Sequence, residues 1–119
     1  MSLQDNKAVV RHFIEEMRRG NDAIFDQHPG MVEVKENLLR GRDAAAEGKI
    51  EIVLQFGEGE WVATRLFISG TNKESGQPIG YEVLQFNRIV DGSIVEQHSQ
   101  ADMGALMQSM GIPNPMSRQ

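Results

Sequence analysis

The stretch FNRIVDGSIVEQHSQ, residues Phe86–Gln100, decides the fold. Asp91-Gly92 lies between two runs rich in β-branched residues. Such a pair in such a place marks a two-residue hairpin turn, whose central positions need positive φ. The upstream arm extends back to Ile79 as IGYEVLQFNRIV, and the downstream arm continues to Gln100. Both arms are therefore predicted as long antiparallel strands.

Outward from this hairpin the same period persists. Ile50, Ile52, Leu54 and Phe56 alternate with Glu51, Val53 and Gln55, which predicts a strand with the first set on one face. Gly57-Glu58-Gly59-Glu60 turns it into a second strand, WVATRLFISGT, and the polar segment NKESGQP (72–78) leads into the third. Before Lys49 the period is different. Val9, Val10, Phe13, Ile14 and Met17 fall on one side of a helix over Asp5–Arg19, and Gly20 stops it. Asn21 or Asp22 caps a short second helix through Phe25, and His28-Pro29-Gly30 breaks the chain. MVEVKEN (31–37) reads as a short strand and GRDAAAEG (41–48) as a brief helix. A last helix is predicted over Asp102–Met110, with Met103, Leu106, Met107 and Met110 as a packing stripe and GIPNPMSRQ as a tail. Helices first and a strand meander after make an α+β fold: a curved antiparallel sheet with the N-terminal helices packed on its concave face, enclosing a cone. The 119 residues are expected to form one domain, with about 1–4 and 112–119 as flexible ends.

Composition narrows the function. Apolar and charged fractions of 39% and 24% fit an ordinary soluble protein, and no apolar run is long enough to span a bilayer. The opening MSLQDNKAVVRH lacks the apolar core of a signal peptide, so the expected location is cytoplasmic. Twelve Lys and Arg against seventeen Asp and Glu, net −5, argue against nucleic acid. Arg11, Arg18 and Arg19 share their helix with Glu15 and Glu16 and read as a solvated face. Without cysteine there is no thiolate ligand or nucleophile, and His12, His28 and His98 are too scattered for a metal site. Neither a glycine-rich phosphate loop nor a nucleophile elbow is present.

NKAVVRHFIEEMRRGN, GEWVATRLFISGT and, above all, FNRIVDGSIVEQHSQADMGALMQSMG resemble the SnoaL-like polyketide cyclase family of the NTF2-like superfamily. The resemblance implies an NTF2-like cone, a small hydrophobic or carbonyl-bearing molecule as partner, no cofactor, and a homodimer. If the protein is catalytic, the resemblance implies a cyclase- or isomerase-like reaction that moves a proton beside a carbonyl; the alternative is a non-catalytic dimeric interaction domain with a small or filled cavity. Two departures stand out. The family's long helix after the Gly-Arg-Asp-Ala position is cut short here by Glu47-Gly48. The family's acid/base Asp falls at Ser99, with Gln97 and His98 where His and Trp are typical, and Gln85 where the preceding strand commonly carries His or Asp. Amides and hydroxyls orient a ligand by hydrogen bonds but do not titrate near neutrality.

Alternation assigns the remaining candidates. Tyr81, Val83, Gln85, Asn87 and Ile89 share one face, as do Val95, Gln97, Ser99 and Ala101, and the resemblance turns Gln85 and Ser99 into the cone. The expected ligand-binding residues are thus Gln85, Ser99, Gln97, Tyr81 and Asn87. His98 falls on the opposite face, a surface or interface position, unless a β-bulge turns it inward. Turned inward, it is the best general base in the chain, with Glu33 as the carboxylate that would face the cavity. Asp102 is expected to cap the last helix, and His28 to pack at its turn. Trp61 and Tyr81 can stack on a flat ligand or serve in packing. Arg65 and Arg88 are expected to pair with carboxylates such as Glu82 or Glu51.

Overall fold

The computed structural model describes residues 2–102, 104, 105 and 107. Helix α1 spans Leu3–Arg18, two short 3-10 helices follow at Asp22–Gln27 and Pro29–Met31, and α2 spans Lys35–Asp43. The strands are β1 (Ala45–Glu58), β2 (Trp61–Asn72), β3 (Pro78–Val90) and β4 (Ser93–Ala101). They form one antiparallel sheet in the order β1-β2-β3-β4, an α+β architecture with the helices at the N-terminal side of the chain. Among the described residues no helix is long and apolar enough to cross a membrane.

Local chemistry explains most boundaries. Ser2 accepts a hydrogen bond from the Asp5 backbone N–H while the Asp5 carboxylate accepts one from the Ser2 N–H, a reciprocal cap that starts α1 at Leu3, two residues before the expected start at Asp5. The hairpin at Asp91-Gly92 has both residues at positive φ, 49° and 79°, as its sequence demands. Asp102 accepts from the Ala105 backbone N–H, the capping role expected of it. The remainder of the last helix, including Met103, Leu106 and Met110, and the tail after it lie outside the described residues.

Two segments differ from their sequence reading. MVEVKEN is not a strand, because a turn carries Val32–Val34 into α2. GRDAAAEG does not form its own helix either. Its first three residues end α2, and Ala45 and Ala46 already pair with Asn72 and Thr71 of β2. Sheet pairing overrides the helix preference of an alanine run.

Helix α1 lies across all four strands. Val10, Phe13, Ile14 and Met17 meet Val62, Leu66, Ile89 and Ile94 from the sheet, with Ile24, Phe25 and Met31 closing the core beside them. Two bulges set which residues reach that core. Ile52 pairs with Leu66 and Leu54 with Arg65, so Val53 is an extra residue. Arg88 pairs with Glu96 and Ile89 with Ile94, so Val95 is another. Each extra residue reverses the alternation. Leu54 and Phe56, expected inside with Ile50 and Ile52, are 51% and 59% exposed, and Gln55 turns inward instead. Ile94, which plain alternation would put on the face of His98, is fully buried.

The bulge at Val95 is also where the N-terminal half is tied to β4. Gly30 lies against it so closely that a Cβ there would stand 2.5 Å from the Glu96 nitrogen. Beside it the buried His28 ring accepts a hydrogen bond at Nδ1 from the Ile94 N–H, 3.0 Å away.

Candidate functional site

Strand register arranges the inner face in rows. Gln55, Thr64, Gln85 and Ser99 are successive Cα partners across the four strands, so one polar residue from each strand meets in a line. On one side lies the row Gly57, Val62, Asn87, Gln97, and on the other Ile52, Leu66, Val83, Ala101. Beyond these, Ile50, Ile68 and Tyr81 form a fourth row. Thr64 and Gln85 of this line are buried, Gln55 is half-buried against the first half of α1, and Ser99 is exposed. Gln55 Nε2 donates to Thr64 Oγ1 at 3.2 Å and to the Lys7 carbonyl at 3.4 Å, and Asn87 Nδ2 donates to Gln85 Oε1 at 3.4 Å. Gln55 Oε1 and Asn87 Oδ1 are buried acceptors without a donor. Such groups are uncommon in protein interiors and mark places where a donor is wanted.

At the other end of this face a cleft of about 440 Å³ opens between the C-terminus of α1, α2 and the ends of β1, β2 and β3. Met17, Leu38, Ile50 and Ile68 make its apolar wall, and Tyr81 lines it as well. Burial raises the pKa of the Tyr81 phenol above its ordinary value. Like any phenol it is an O–H donor at neutral pH. The rim is cationic, with Arg18, Arg19, Arg42 and Lys49. Arg42 holds the rim together, donating to the Met17 carbonyl at 2.8 Å and to both Asp22 carboxylate oxygens, at 2.6 and 3.5 Å. The hydrogen bond from Arg42 keeps the Asp22 carboxyl below its usual range.

The expected ligand-binding residues thus sit on one face but in different surroundings. Gln85 and Asn87 are buried in the core, Gln97 is half-buried, Ser99 is exposed, and Tyr81 lines the cleft. Gln55 and Thr64, not foreseen as site residues, complete the polar line. Thr64 was legible as the residue facing Gln85 once the β2–β3 register is known, whereas Gln55 was hidden by the bulge.

The expected bases lie elsewhere. His98 pairs with Phe86 on the outer face, its side chain 63% exposed, with Nε2 2.7 Å from Glu96 Oε2 and its ring stacked on Trp61. The hydrogen bond from His98, with a further one from Arg88, holds the Glu96 carboxyl below its ordinary pKa. Glu33 is an exposed turn residue between the 3-10 helices and α2, not a strand residue facing the interior. His98 and Glu33 are neither brought together nor placed in the wall of the cleft. Arg65 pairs with Glu82, as expected, and Arg88 with Glu60 and Glu96. The same outer face exposes Leu54, Phe56, Leu84 and Phe86. Among the described residues no three His, Asp or Glu side chains are grouped to hold a metal ion.

The sequence profile of the SnoaL-like polyketide cyclase family matches residues 1–110. The chain belongs to that family. Solved structures agree on the fold of this SnoaL-like protein. TsrD from Streptomyces laurentii superposes with a TM-score of 0.82 at 15% identity, over 95% of this chain and 99% of the other. AclR from Streptomyces galilaeus, a candidate hydroxylase, gives 0.81 at 19% identity over 95% and 85%. A candidate polyketide cyclase from Acidithiobacillus ferrooxidans gives 0.75 at 18% identity over 95% and 100%. A sequence search among curated proteins found no match.

Proposed function

We propose that this SnoaL-like protein binds a small, largely apolar molecule bearing a carbonyl group in the cleft lined by Tyr81. The carrying observation is Tyr81 itself, a half-buried phenol at an apolar wall. A carbonyl oxygen reaching it accepts a hydrogen bond and is polarised, the electrostatic half of a cyclase- or isomerase-like reaction. The other half needs a base within hydrogen-bond reach. His98 and Glu33 lie away from the cleft, so the geometry favours binding and carbonyl polarisation over proton abstraction by either. On this reading Gln85, Asn87, Gln97 and Ser99 extend the polar part of the same face beyond Tyr81.

A thermal melt with 1-tetralone, a compact aromatic ketone, tests it. Ligand at about a hundred times its Kd stabilises the fold by about 2.7 kcal/mol, which in a domain of this size raises Tm by on the order of 10 °C. Tyr81→Phe is expected to weaken binding about five- to tenfold, the worth of one hydrogen bond. No shift with the ketone, or equal binding by Tyr81→Phe, overturns the reading.

A second reading concerns assembly. Leu54 and Phe56 on β1 and Leu84 and Phe86 on β3 all lie exposed on the outer face, with Arg65 and Ala63 of β2 between the two pairs. This supports a homodimer formed through the outer face of the sheet, which by itself would make the chain an interaction domain. Sedimentation velocity decides it: a monomer at micromolar concentration rules it out.

A further inference from the structure

The rim of the cleft holds more positive charge than the rest of this acidic chain leads one to expect. Four cations line it, Arg18, Arg19, Arg42 and Lys49, against Asp43 as the lining carboxylate, in a protein of net charge −5. Their partners are unevenly shared. Arg42 is occupied by Asp22 and Asp43. Arg18 and Arg19 draw on the same Glu15 oxygen, at 3.1 and 3.0 Å. Both also close the last turn of α1, where the helix dipole favours cations. Lys49, on β1, has neither excuse: among the described residues it makes no ion pair.

Geometry singles out two of the four. A second hollow beside the cleft is lined by Arg18, Lys49, Ser69 and Thr71, with Glu47 also at its wall. Arg18, Lys49 and Ser69 line both spaces, so they stand where the two meet. Ser69 is the direct Cα partner of Lys49 across β1 and β2. An ammonium, a guanidinium and a hydroxyl at the mouth of an apolar cleft match an anionic head on an apolar body.

We infer that the cleft selects an apolar molecule carrying a carboxylate, whose charged end lies at Lys49 and Arg18 while its body rests on Met17, Leu38, Ile50 and Ile68 toward Tyr81. The inference rests on the cleft reading above and adds the charge of the ligand. Asp43 and Glu47 set its limit, since they favour one carboxylate at the Lys49–Arg18 side over a polyanion spread around the mouth.

The chain carries its own reporters for the test. Tyr81 is the sole tyrosine and lines the cleft, and Trp61 is the sole tryptophan and lies against His98 on the outer face. Titrating the full chain with 3-phenylpropanoate and with 3-phenylpropan-1-ol, followed by the ring resonances of both residues, separates charge from hydrophobicity. The acid is expected to move the Tyr81 signals with a Kd about tenfold lower than the alcohol at low salt. High salt is expected to shrink that preference, and Lys49→Gln to reduce it severalfold. Equal affinities at Tyr81 overturn the carboxylate inference and leave the cleft reading standing. Tyr81 signals unmoved by either compound overturn both. An acid that moves Trp61 in place of Tyr81 sits on the outer face, and that too overturns the inference.

Discussion

Protonating a single buried imidazole is expected to loosen β4 from the N-terminal half of the fold. His28 is 3% exposed, its ring lies edge-on to Phe13 with centroids 5.4 Å apart, and its Nδ1 accepts the Ile94 N–H at 3.0 Å. Nδ1 is an acceptor only while it is unprotonated, so the folded state holds the neutral ring. Burial, with a smaller contribution from His12, lowers the His28 pKa from its ordinary value of 6.5. The sign follows. With the folded pKa below the unfolded one, the unfolded chain binds more protons in that interval, and stability rises with pH. The His28 contribution is whole above about pH 6.5 and is lost as the pH falls through the folded pKa. One proton sets the steepest slope at about 1.4 kcal/mol per pH unit. Other groups titrate too, so the informative quantity is a difference. His28→Asn keeps an acceptor near the Nδ1 position and removes the titration. Urea unfolding of both proteins between pH 5 and 8 is expected to show the parent losing stability faster on acidification. His28→Ala strips the acceptor as well as the packing, leaving a buried N–H unpaired, and is expected to cost about 3–5 kcal/mol at pH 7.5. Parallel pH curves for parent and His28→Asn would refute the reasoning.

Three further outcomes follow from particular contacts. Gly30→Ala places a Cβ 2.5 Å from the Glu96 nitrogen and the Val95 carbonyl carbon, and chemical denaturation is expected to show a loss of about 1–3 kcal/mol. Leu54→Ser is expected to change stability by less than about 0.5 kcal/mol because Leu54 is exposed. Leu66→Ala, inside the core, is expected to cost about 2–5 kcal/mol in the same assay, and equal costs would show that the bulge is misplaced. Phe56→Lys with Phe86→Glu is expected to leave the melting temperature almost unchanged while abolishing any self-association seen by sedimentation.

What could be read from the chain depended on whether the deciding interactions are local. The Asp91-Gly92 turn and the apolar stripe of α1 are determined within a few residues, and both formed where the sequence put them. Alternation grouped Gln85 with Asn87 and set His98 on the face opposite Ser99, and the family resemblance gave the inward direction, which agrees with the exposed His98 and the buried Gln85 and Asn87. Elsewhere the deciding partner was distant. Val32 and Val34 alternate too briefly to fix a strand, and the chain enters α2 there instead. The alanines at 44–46 favour a helix in isolation, yet two of them are drawn into pairing with β2. A period of two likewise has no means of announcing an extra residue, so Gln55 was assigned to the wrong face and left out of the polar line. Glu33 was assigned to a strand that does not form, which removed its path to the interior. The cleft rim escaped notice because Arg18 and Arg19 belong to a helix face while Arg42 and Lys49 are far away in sequence.

The extra residue at Val53 has a consequence for how such a binding wall changes between relatives. Deleting it would flatten the bulge and leave Leu54 outward opposite Arg65 and Gln55 inward opposite Thr64. Keeping it but drawing it into regular pairing would instead slip every later residue by one, sending Gln55 outward and bringing Leu54 and Phe56 beneath α1. The inner surface of β1 would lose its amide and gain two large apolar groups, and the outer face would lose two of its exposed ones. A slip of one residue, with no side chain substituted, would exchange the chemistry of both surfaces at once. In this edge strand, register is as much a determinant of specificity as composition.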